Sequence, residues 1–187
     1  ISTGSIGPEN LFQILAPGID PALLDFASQL VGTTSSSQTV TITNNDASDL
    51  IIGTLSVSDD FALSNDFCSG QTVAASGTCT FDALFSPLSI GGKSGSVSIP
   101  GNAASSPDSV ALSGTGVSPA VGVNSASLDF GNQVVGTVSA AQTVTITNTG
   151  TADLIIGTLS NTGEFALSND LCSGQTVAAS GTCTFDA

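Results

Sequence analysis

The chain has 187 residues, of which 40% are hydrophobic, 21 are Gly and 7 are Pro, enough apolar material for one large or two small domains. Its 15 acidic residues, single base and lack of His give a net charge of −14, which excludes binding to nucleic-acid phosphates, His-dependent catalysis and most zinc sites. We therefore expect no enzyme activity and no cofactor. We also expect no membrane insertion, because no apolar run approaches the ~18 residues that span a bilayer.

Residues 1–21 form an N-terminal extension that is unusually apolar for a chain terminus. Because the chain begins with Ile rather than Met, we expect its first residue to be a processed or cut end. One interpretation of the extension is a donor strand, which completes the sheet of another domain. The other is the end of a preceding repeat, because Ile1–Gly4 weakly resembles Leu112–Gly116. Four apolar residues are the donor-strand candidates: Leu11, Phe12, Ile14 and Leu15.

Short runs with a period of two residues follow along the chain. In Gln38–Asn44, Val40 and Ile42 alternate with Thr, the pattern of a strand with one buried face. Turn residues such as those in Asn44–Asp46 separate the runs. About seven strands in roughly 95 residues predict a β-sandwich of immunoglobulin-like type. The other β-rich runs are Leu23–Phe26, Leu50–Leu55, Phe61–Ser64, Thr78–Phe85, Gly95–Ile99 and Ser109–Ser113.

A gapless internal repeat organises the chain. Ala22–Ala83 aligns with Ala126–Ala187 at an offset of 104, and 46 of the 62 aligned positions are identical. The two copies must share a fold, which predicts an all-β chain with two tandem immunoglobulin-like β-sandwich domains, at 22–117 and 118–187. Since the second copy stops at the counterpart of Ala83, we expect it to lack its last two or three strands and to expose its core.

The four cysteines lie at equivalent positions in the two copies. Of the three ways to pair them, this arrangement favours Cys68 with Cys79 and Cys172 with Cys183. A metal site built from all four thiolates, or free thiols, are the alternatives, but the ten residues between the cysteines of each copy do not match zinc-binding spacing. Disulfides predict an oxidising compartment, with the protein secreted, extracellular or at the cell surface.

Two acidic pairs are weak candidates for calcium ligands. They are Asp46 with Asp49 and Asp59 with Asp60, whose oxygen-rich surroundings suit a hard cation. The second copy does not keep the Asp59–Asp60 pair, and no loop of the DxDxDG type occurs, so we expect solvated acids and no metal site. The only base, Lys93, is expected to be solvated as well.

The ordered motifs of the two copies resemble a known family. They include LDFG at 128–131, QTVTITN at 38–44, FALSND at 61–66 and VALSGTG at 110–116. Over residues 22–187 the chain resembles the abnormal-spindle/Hydin-type (ASH) immunoglobulin-like repeat, which is similar to the major sperm protein fold and occurs in tandem on secreted bacterial proteins. The resemblance implies a spacer, assembly or adhesion module without catalytic residues.

The sequence is therefore interpreted as a structural subunit of an extracellular filament or surface array. In this interpretation the N-terminal segment of one copy completes the second domain of the next, so that subunits assemble head to tail and the partner is the protein itself. The alternative is an adhesion or spacer module within a longer tandem-repeat surface protein. The glycan or protein ligand of an adhesion module is not identified by the sequence.

Overall fold

The computed structural model describes residues 15–187, and all regular structure in this range is β. The prediction of an all-β fold is thereby confirmed. The chain divides into two compact units, which we call unit 1, ending at Gly116, and unit 2, Val117–Ala187. Three of the donor-strand candidates, Leu11, Phe12 and Ile14, lie outside the described residues. Within residues 15–187, no helix has the length and hydropathy needed to cross a membrane.

Unit 1 is built from three sheets. Its strands are β1 (Gly18–Asp20), β2 (Leu23–Leu30), β3 (Gln38–Thr43), β4 (Leu50–Ile51), β5 (Ser56–Val57), β6 (Phe61–Ser64), β7 (Thr72–Val73), β8 (Thr78–Phe85), β9 (Gly91–Ile99) and β10 (Asp108–Val117). The first sheet has the order β1-β3-β8-β6 and the second the order β2-β10-β9-β5, while β4 and β7 form a small third sheet. Apart from the hairpin β9–β10, sequence-adjacent strands lie in different sheets, as in a β-sandwich.

The core of unit 1 lies between the two four-stranded sheets. On the first sheet, β3 and β8 place Val40 opposite Phe81, and both side chains are fully buried. On the second sheet, the antiparallel pair β9–β10 buries Val97, Val110 and Leu112. The Thr residues that alternate with these apolar positions point to the other face, which is the period-two pattern read from the sequence.

Unit 1 begins before the start of the gapless repeat. Strand β1 pairs with β3, with Gly18 opposite Thr43. In unit 2, Gly122 stands opposite Thr147 in the same register. The first sandwich therefore extends to Gly18, inside the segment that the sequence assigns to the N-terminal extension. Sequence identity did not reveal this strand because backbone pairing, rather than particular side chains, holds it.

Of the two large sheets, unit 2 has only three strands of the first, because the counterpart of β6 is reduced to an isolated bridge between Ser168 and Asp186. Its strands are β11 (Val121–Val123), β12 (Thr143–Asn148), β13 (Leu154–Ile155), β14 (Thr176–Val177) and β15 (Thr182–Asp186). The order β11-β12-β15 matches β1-β3-β8, and Val144 opposite Phe185 reproduces the register of unit 1. Within Val117–Ala187 the counterparts of β2 and β5 form no strands. Their partners in unit 1 are β10 and β9, for which unit 2 has no counterpart.

Candidate functional site

The apolar side of the sheet β11-β12-β15 is only partly covered: Val144 and Ile146 are buried, whereas Phe165 beside them is 61% exposed. A cavity of about 510 Å³ lies against it. We call nine of the lining residues the open face. They are eight larger apolar residues and the last alanine: Val123, Leu128, Phe130, Val144, Ile146, Leu159, Phe165, Phe185 and Ala187. At an offset of 104, each of the nine has a counterpart that lies in the core of unit 1 or packs against it. The open face is therefore half of a β-sandwich core without its covering layer.

Burial of the same residue types differs between the units. Phe61 is 7% exposed in unit 1, whereas its counterpart Phe165 is 61% exposed. Phe81 is completely buried, whereas Phe185 is only partly buried. These residues sit in matching sequence, but the structure around them differs in two ways: unit 2 has no second sheet, and residues 165–168, the counterpart of β6, form no strand.

A cluster of three phenylalanines in unit 1 shows what the open face lacks. The Phe85 ring stacks on Phe61 at a centroid distance of 5.0 Å and lies 6.0 Å from Phe26. In unit 2, Phe130 and Phe165 keep the 5.9 Å contact that Phe26 and Phe61 make. No residue of Val117–Ala187 aligns with Phe85, so the pair Phe130–Phe165 has no third ring among the described residues.

A second cavity, of about 760 Å³, adjoins the open face and has a more polar rim. It shares Leu128, Phe130 and Phe165 with the open face and adds the carboxylates of Asp129 and Glu164. The loop of residues 131–141, which contributes several residues to this second cavity, is exposed as well, and Val135 within it is 100% accessible. Apolar surface bordered by acids is thus continuous along this side of unit 2.

A buried asparagine stabilises the end of the first sheet in both units. The Asn44 side-chain amide donates hydrogen bonds to the carbonyl oxygens of Ser48 and Val73, at 2.8 and 2.9 Å. Asn148 makes the corresponding bonds to Ala152 and Val177, at 2.7 and 2.9 Å. From the sequence, Asn44 is expected only to form part of the turn Asn44–Asp46. Its presence in both copies was the available signal that it has a buried role.

The cysteines form two disulfides, Cys68–Cys79 and Cys172–Cys183, each with a Cα–Cα distance of 5.2 Å. Cys68 and Cys172 are fully buried. Each disulfide joins a loop to a strand of the first sheet: the loop before β7 to β8 in unit 1, and the loop before β14 to β15 in unit 2. These bonds are compatible with an oxidising compartment.

The calcium candidates do not converge on one site. Among residues 15–187, no group of three Asp, Glu, Cys or His side chains is arranged to hold a metal ion. Asp46 instead accepts hydrogen bonds from the backbone N–H groups of Leu15 and Ser48, at 3.0 and 2.9 Å, and these bonds lower the pKa of its carboxyl group. The sequence-predicted pairs containing Asp49 and Asp59 therefore stay unassigned to any ligand.

Lys93 is bound within unit 1, and the expectation that it is solvated is wrong. Its Nζ atom donates a hydrogen bond to Ser89 Oγ at 2.6 Å and lies 3.9 Å from Asp60 Oδ2, with both charged side chains only 19% exposed. Asp60 also accepts a 2.7 Å hydrogen bond from the backbone N–H of Leu88. The ion pair therefore joins the turn before β6 to strand β9.

Leu15 is the donor-strand candidate that the structure describes. Its side chain is 62% exposed, and its backbone N–H is held by Asp46. It lies just before β1, next to Asp46 in the loop after β3. Whether that segment acts as a donor strand stays a prediction.

Matching carboxylates occupy the outer side of the first sheet in each unit. Asp82 accepts hydrogen bonds from Thr39 Oγ1 at 2.6 Å and from Asn65 Nδ2 at 2.8 Å. Asp186 accepts the corresponding bonds from Asn169 and Thr143, both at 2.7 Å. These side-chain hydrogen bonds lower the pKa of both carboxyl groups.

No family model matches the chain, and no curated protein matches it. Among solved structures, the ASH/PapD-like domain 7 of human CEP192 is similar, with 14% identity, 61% of this chain and 94% of that chain covered, and a TM-score of 0.46. A protein from Porphyromonas gingivalis W83 covers 91% of this chain and 81% of its own, with 16% identity and a TM-score of 0.46.

The periplasmic chaperone SfaE is similar at 10% identity, with 91% of this chain and 87% of that chain covered and a TM-score of 0.40. The human domain carries the name of the family that the sequence motifs resemble. All three TM-scores lie below 0.5, so these similarities carry no argument about function.

Proposed function

We propose that the chain is a structural module of an extracellular filament or surface array, in which strands from another polypeptide segment complete unit 2. The observation that carries the proposal is the open face, whose counterparts form the core of unit 1. Apolar surface beside incomplete sheets favours pairing with a further strand, because pairing buries side chains and satisfies backbone hydrogen bonds together.

Two sources of these strands give two forms of the same role. The N-terminal segment of a second copy, with Leu11, Phe12, Ile14 and Leu15, would produce a non-covalent head-to-tail filament, because such an interface does not close on itself. Strands of a longer tandem-repeat polypeptide would instead produce a covalent stalk. In both forms the module extends a structure outside the cytosol, and the two disulfides support that location.

The state of the native material tests this proposal. Negative-stain electron microscopy, combined with mass spectrometry of the chain ends, is expected to show either uniform fibres of short chains or thin beaded chains of longer ones. Separate globular particles in which unit 2 binds a hydrophobic dye would contradict the proposal, because the open face would then be uncovered in the functional form.

A matched pair of substitutions sharpens the test. Phe165→Asp places a charge on the open face, and Phe67→Asp places one at a similarly exposed position of unit 1, since the two side chains are 61% and 66% exposed. Both variants are expected to fold. Phe165→Asp should prevent assembly, as measured by light scattering, and Phe67→Asp should leave it unchanged. Equal effects would contradict a specific role for the open face.

A further inference from the structure

We infer that three hydroxyl groups of unit 1, those of Thr34, Ser36 and Ser37, are acceptors for O-linked glycosylation. They lie in the loop of residues 31–37, which joins β2 to β3. The inference concerns unit 1 alone and does not depend on strand pairing at the open face. It shares with the proposed function only the location outside the cytosol, which the two disulfides support.

The composition of this loop is the first observation. Residues 33–37 read Thr-Thr-Ser-Ser-Ser, so that five consecutive side chains carry a hydroxyl group. The loop contains no helix or strand, and Thr33, Thr34, Ser36 and Ser37 are exposed. Segments rich in Ser and Thr are typical of O-glycosylated stalks. The loop therefore presents a dense group of acceptor hydroxyls to solvent.

Two of the five residues attach the loop to the neighbouring strands. Thr33 Oγ1 donates a 2.7 Å hydrogen bond to the carbonyl oxygen of Leu30, at the end of β2. Ser35 Oγ accepts a 3.0 Å hydrogen bond from the backbone N–H of Phe85, and the backbone N–H of Ser35 donates to the Phe85 carbonyl oxygen at 2.9 Å. These bonds hold the loop against the end of β8.

The other three hydroxyls do not hold the backbone. Thr34 Oγ1 shares a 2.9 Å hydrogen bond with Ser86 Oγ on the exposed surface. The Ser37 hydroxyl group is hydrogen-bonded to the carboxylate of Asp82. Ser36 Oγ has no hydrogen-bond partner in the part of the chain that the structure describes. The conformation of the loop therefore does not require these three side chains.

The corresponding loop of unit 2 separates the two groups of hydroxyls. Thr137 and Ser139 match Thr33 and Ser35, and Thr137 Oγ1 donates a 2.7 Å hydrogen bond to the carbonyl oxygen of Val134. The counterparts of the other three residues carry no hydroxyl group: Val138, Ala140 and Ala141. The two copies thus keep the hydroxyls that hold the backbone in unit 1 and differ in those that do not. This difference points to a role of the three free hydroxyls that is particular to unit 1.

Charge and sequence favour an O-linked sugar over other modifications. No Asn-x-Ser or Asn-x-Thr sequence occurs in the 187 residues, so they offer no acceptor for N-linked glycosylation. Phosphorylation would add negative charge to a chain whose net charge is already −14. A neutral sugar adds bulk and hydrogen-bonding groups without adding charge, and it keeps the surface solvated.

The transfer requires a glycosyl diphosphate as the sugar donor and a glycosyltransferase. The hydroxyl oxygen of Ser or Thr attacks C1 of the sugar and forms the new C1–O bond. The bond between C1 and the diphosphate oxygen breaks, and the diphosphate leaves with the electron pair. The hydroxyl proton passes to a base of the transferase, so that atoms and charges balance.

Mass spectrometry of the native material tests the inference with an internal control. A protease that cleaves before Asp releases the matched peptides 25–45 and 129–152, one from each unit. We expect peptide 25–45 to be heavier than its sequence by one or more whole sugar residues, and fragmentation to place them on Thr34, Ser36 or Ser37. Peptide 129–152 should have the mass of its sequence. An unmodified peptide 25–45, or equal modification of both peptides, would overturn the inference.

A triple variant gives the second test. Thr34→Val, Ser36→Ala and Ser37→Ala together give unit 1 the residues that unit 2 has at these positions, so the variant should fold. Made in the organism that produces the protein, it should lose all added mass from peptide 25–45. The control Ser105→Ala removes a hydroxyl from another exposed loop and should leave that mass unchanged.

Retention of the sugar by the triple variant would show that other residues carry it and would overturn the assignment. Neither measurement depends on whether the protein assembles. A negative result therefore removes the glycosylation site without affecting the proposed filament or array, and the absence of filaments would leave the glycosylation result valid.

Discussion

Units 1 and 2 contain nearly the same residues in matching positions, and yet one of them has a closed core and the other an open one. The sheet β1-β3-β8 and its counterpart β11-β12-β15 have the same register. The exposed fraction of Phe61 and Phe165 differs nevertheless, at 7% and 61%. Val144 and Ile146 stay buried in unit 2, so it is the burial of Phe165, at the margin of the sheet, that requires the further strands of the sandwich.

The physical cause lies in the connectivity of the second sheet. Strand β2 near the start of unit 1 pairs with β10 at its end, and β5 pairs with β9. No pair within this sheet apart from β9–β10 joins strands that follow each other directly in sequence. Removing the last two strands from the pattern therefore removes the whole sheet, whereas the first sheet keeps its β12–β15 pairing.

The largest expected difference between the units is the effect of removing a matched phenylalanine. Phe61→Ala should lower the free energy of unfolding of unit 1 by about 3–5 kcal/mol, because it leaves a cavity in a packed core. Phe165→Ala should lower that of unit 2 by less than about 1 kcal/mol, because its side chain is mostly exposed. Hydrogen exchange in denaturant, followed on peptides whose sequences differ between the copies, measures both.

An equal loss in the two units would break this comparison. It would mean that Phe165 is buried in solution and that the open face is already covered.

The disulfides should contribute similarly to both units. Replacing Cys68 and Cys79 by Ser, or Cys172 and Cys183 by Ser, opens loops of the same length, since both pairs are separated by 11 positions. The chain-entropy model gives a loss of about 3 kcal/mol for each. Urea denaturation of the two double variants measures the losses, and a loss confined to one unit would show that strain or packing, rather than loop length, determines them.

The buried asparagines should also behave alike. Asn44→Ala and Asn148→Ala each leave one buried and one partly buried carbonyl oxygen without its donor, so that each variant should lose about 1–3 kcal/mol of unfolding free energy. Asn45→Ala, at an exposed position, serves as the control and should have little effect. Unequal losses for Asn44→Ala and Asn148→Ala would show that the open face also weakens the end of the first sheet.

The smallest expected effect concerns pH. The pKa values of Asp82 and Asp186 lie below the ordinary 3.8, because side-chain hydrogen bonds favour the charged carboxylate in the folded state. Their stabilisation is therefore complete above about pH 3.8 and is lost as the pH falls through the lower, folded-state values. Melting temperatures of the wild type, Asp82→Asn and Asp186→Asn, measured at pH 6 and at acidic pH, provide the test.

The variants should melt slightly below the wild type at pH 6, and the gap should close in acid. Because the two aspartates make matching hydrogen bonds, both variants should show the same gap, of no more than a few degrees. A gap that widens in acid would contradict the assigned direction of the pKa shift.

Much of the fold followed from the sequence. The alternation of Val40 and Ile42 with Thr predicted the strand β3, and the repeated cysteine positions predicted the disulfides that the structure contains. Local periodicity and repetition carry this information because each depends on neighbouring residues. Strand β1 was missed because few of its side chains are repeated, although its backbone pairing is.

The site was only partly predictable. The early end of the second copy predicted an exposed core, but not which side chains line the cavity or that Phe130 and Phe165 remain in contact. Lys93 was expected to be solvated because its sequence neighbours are small and polar. Its contact with Asp60 crosses between the two sheets, and no local pattern encodes that distance.

The sequence by itself determined the all-β class, the tandem repeat, the cysteine pairs and the register-bearing strands of the first sheet, because these depend on composition, period and repetition. The tertiary structure alone decided which phenylalanines are buried, which aspartate holds the single lysine and which face of unit 2 stays open. The reason is that these properties depend on strands far apart in the chain, whose side chains meet only when two sheets pack against each other.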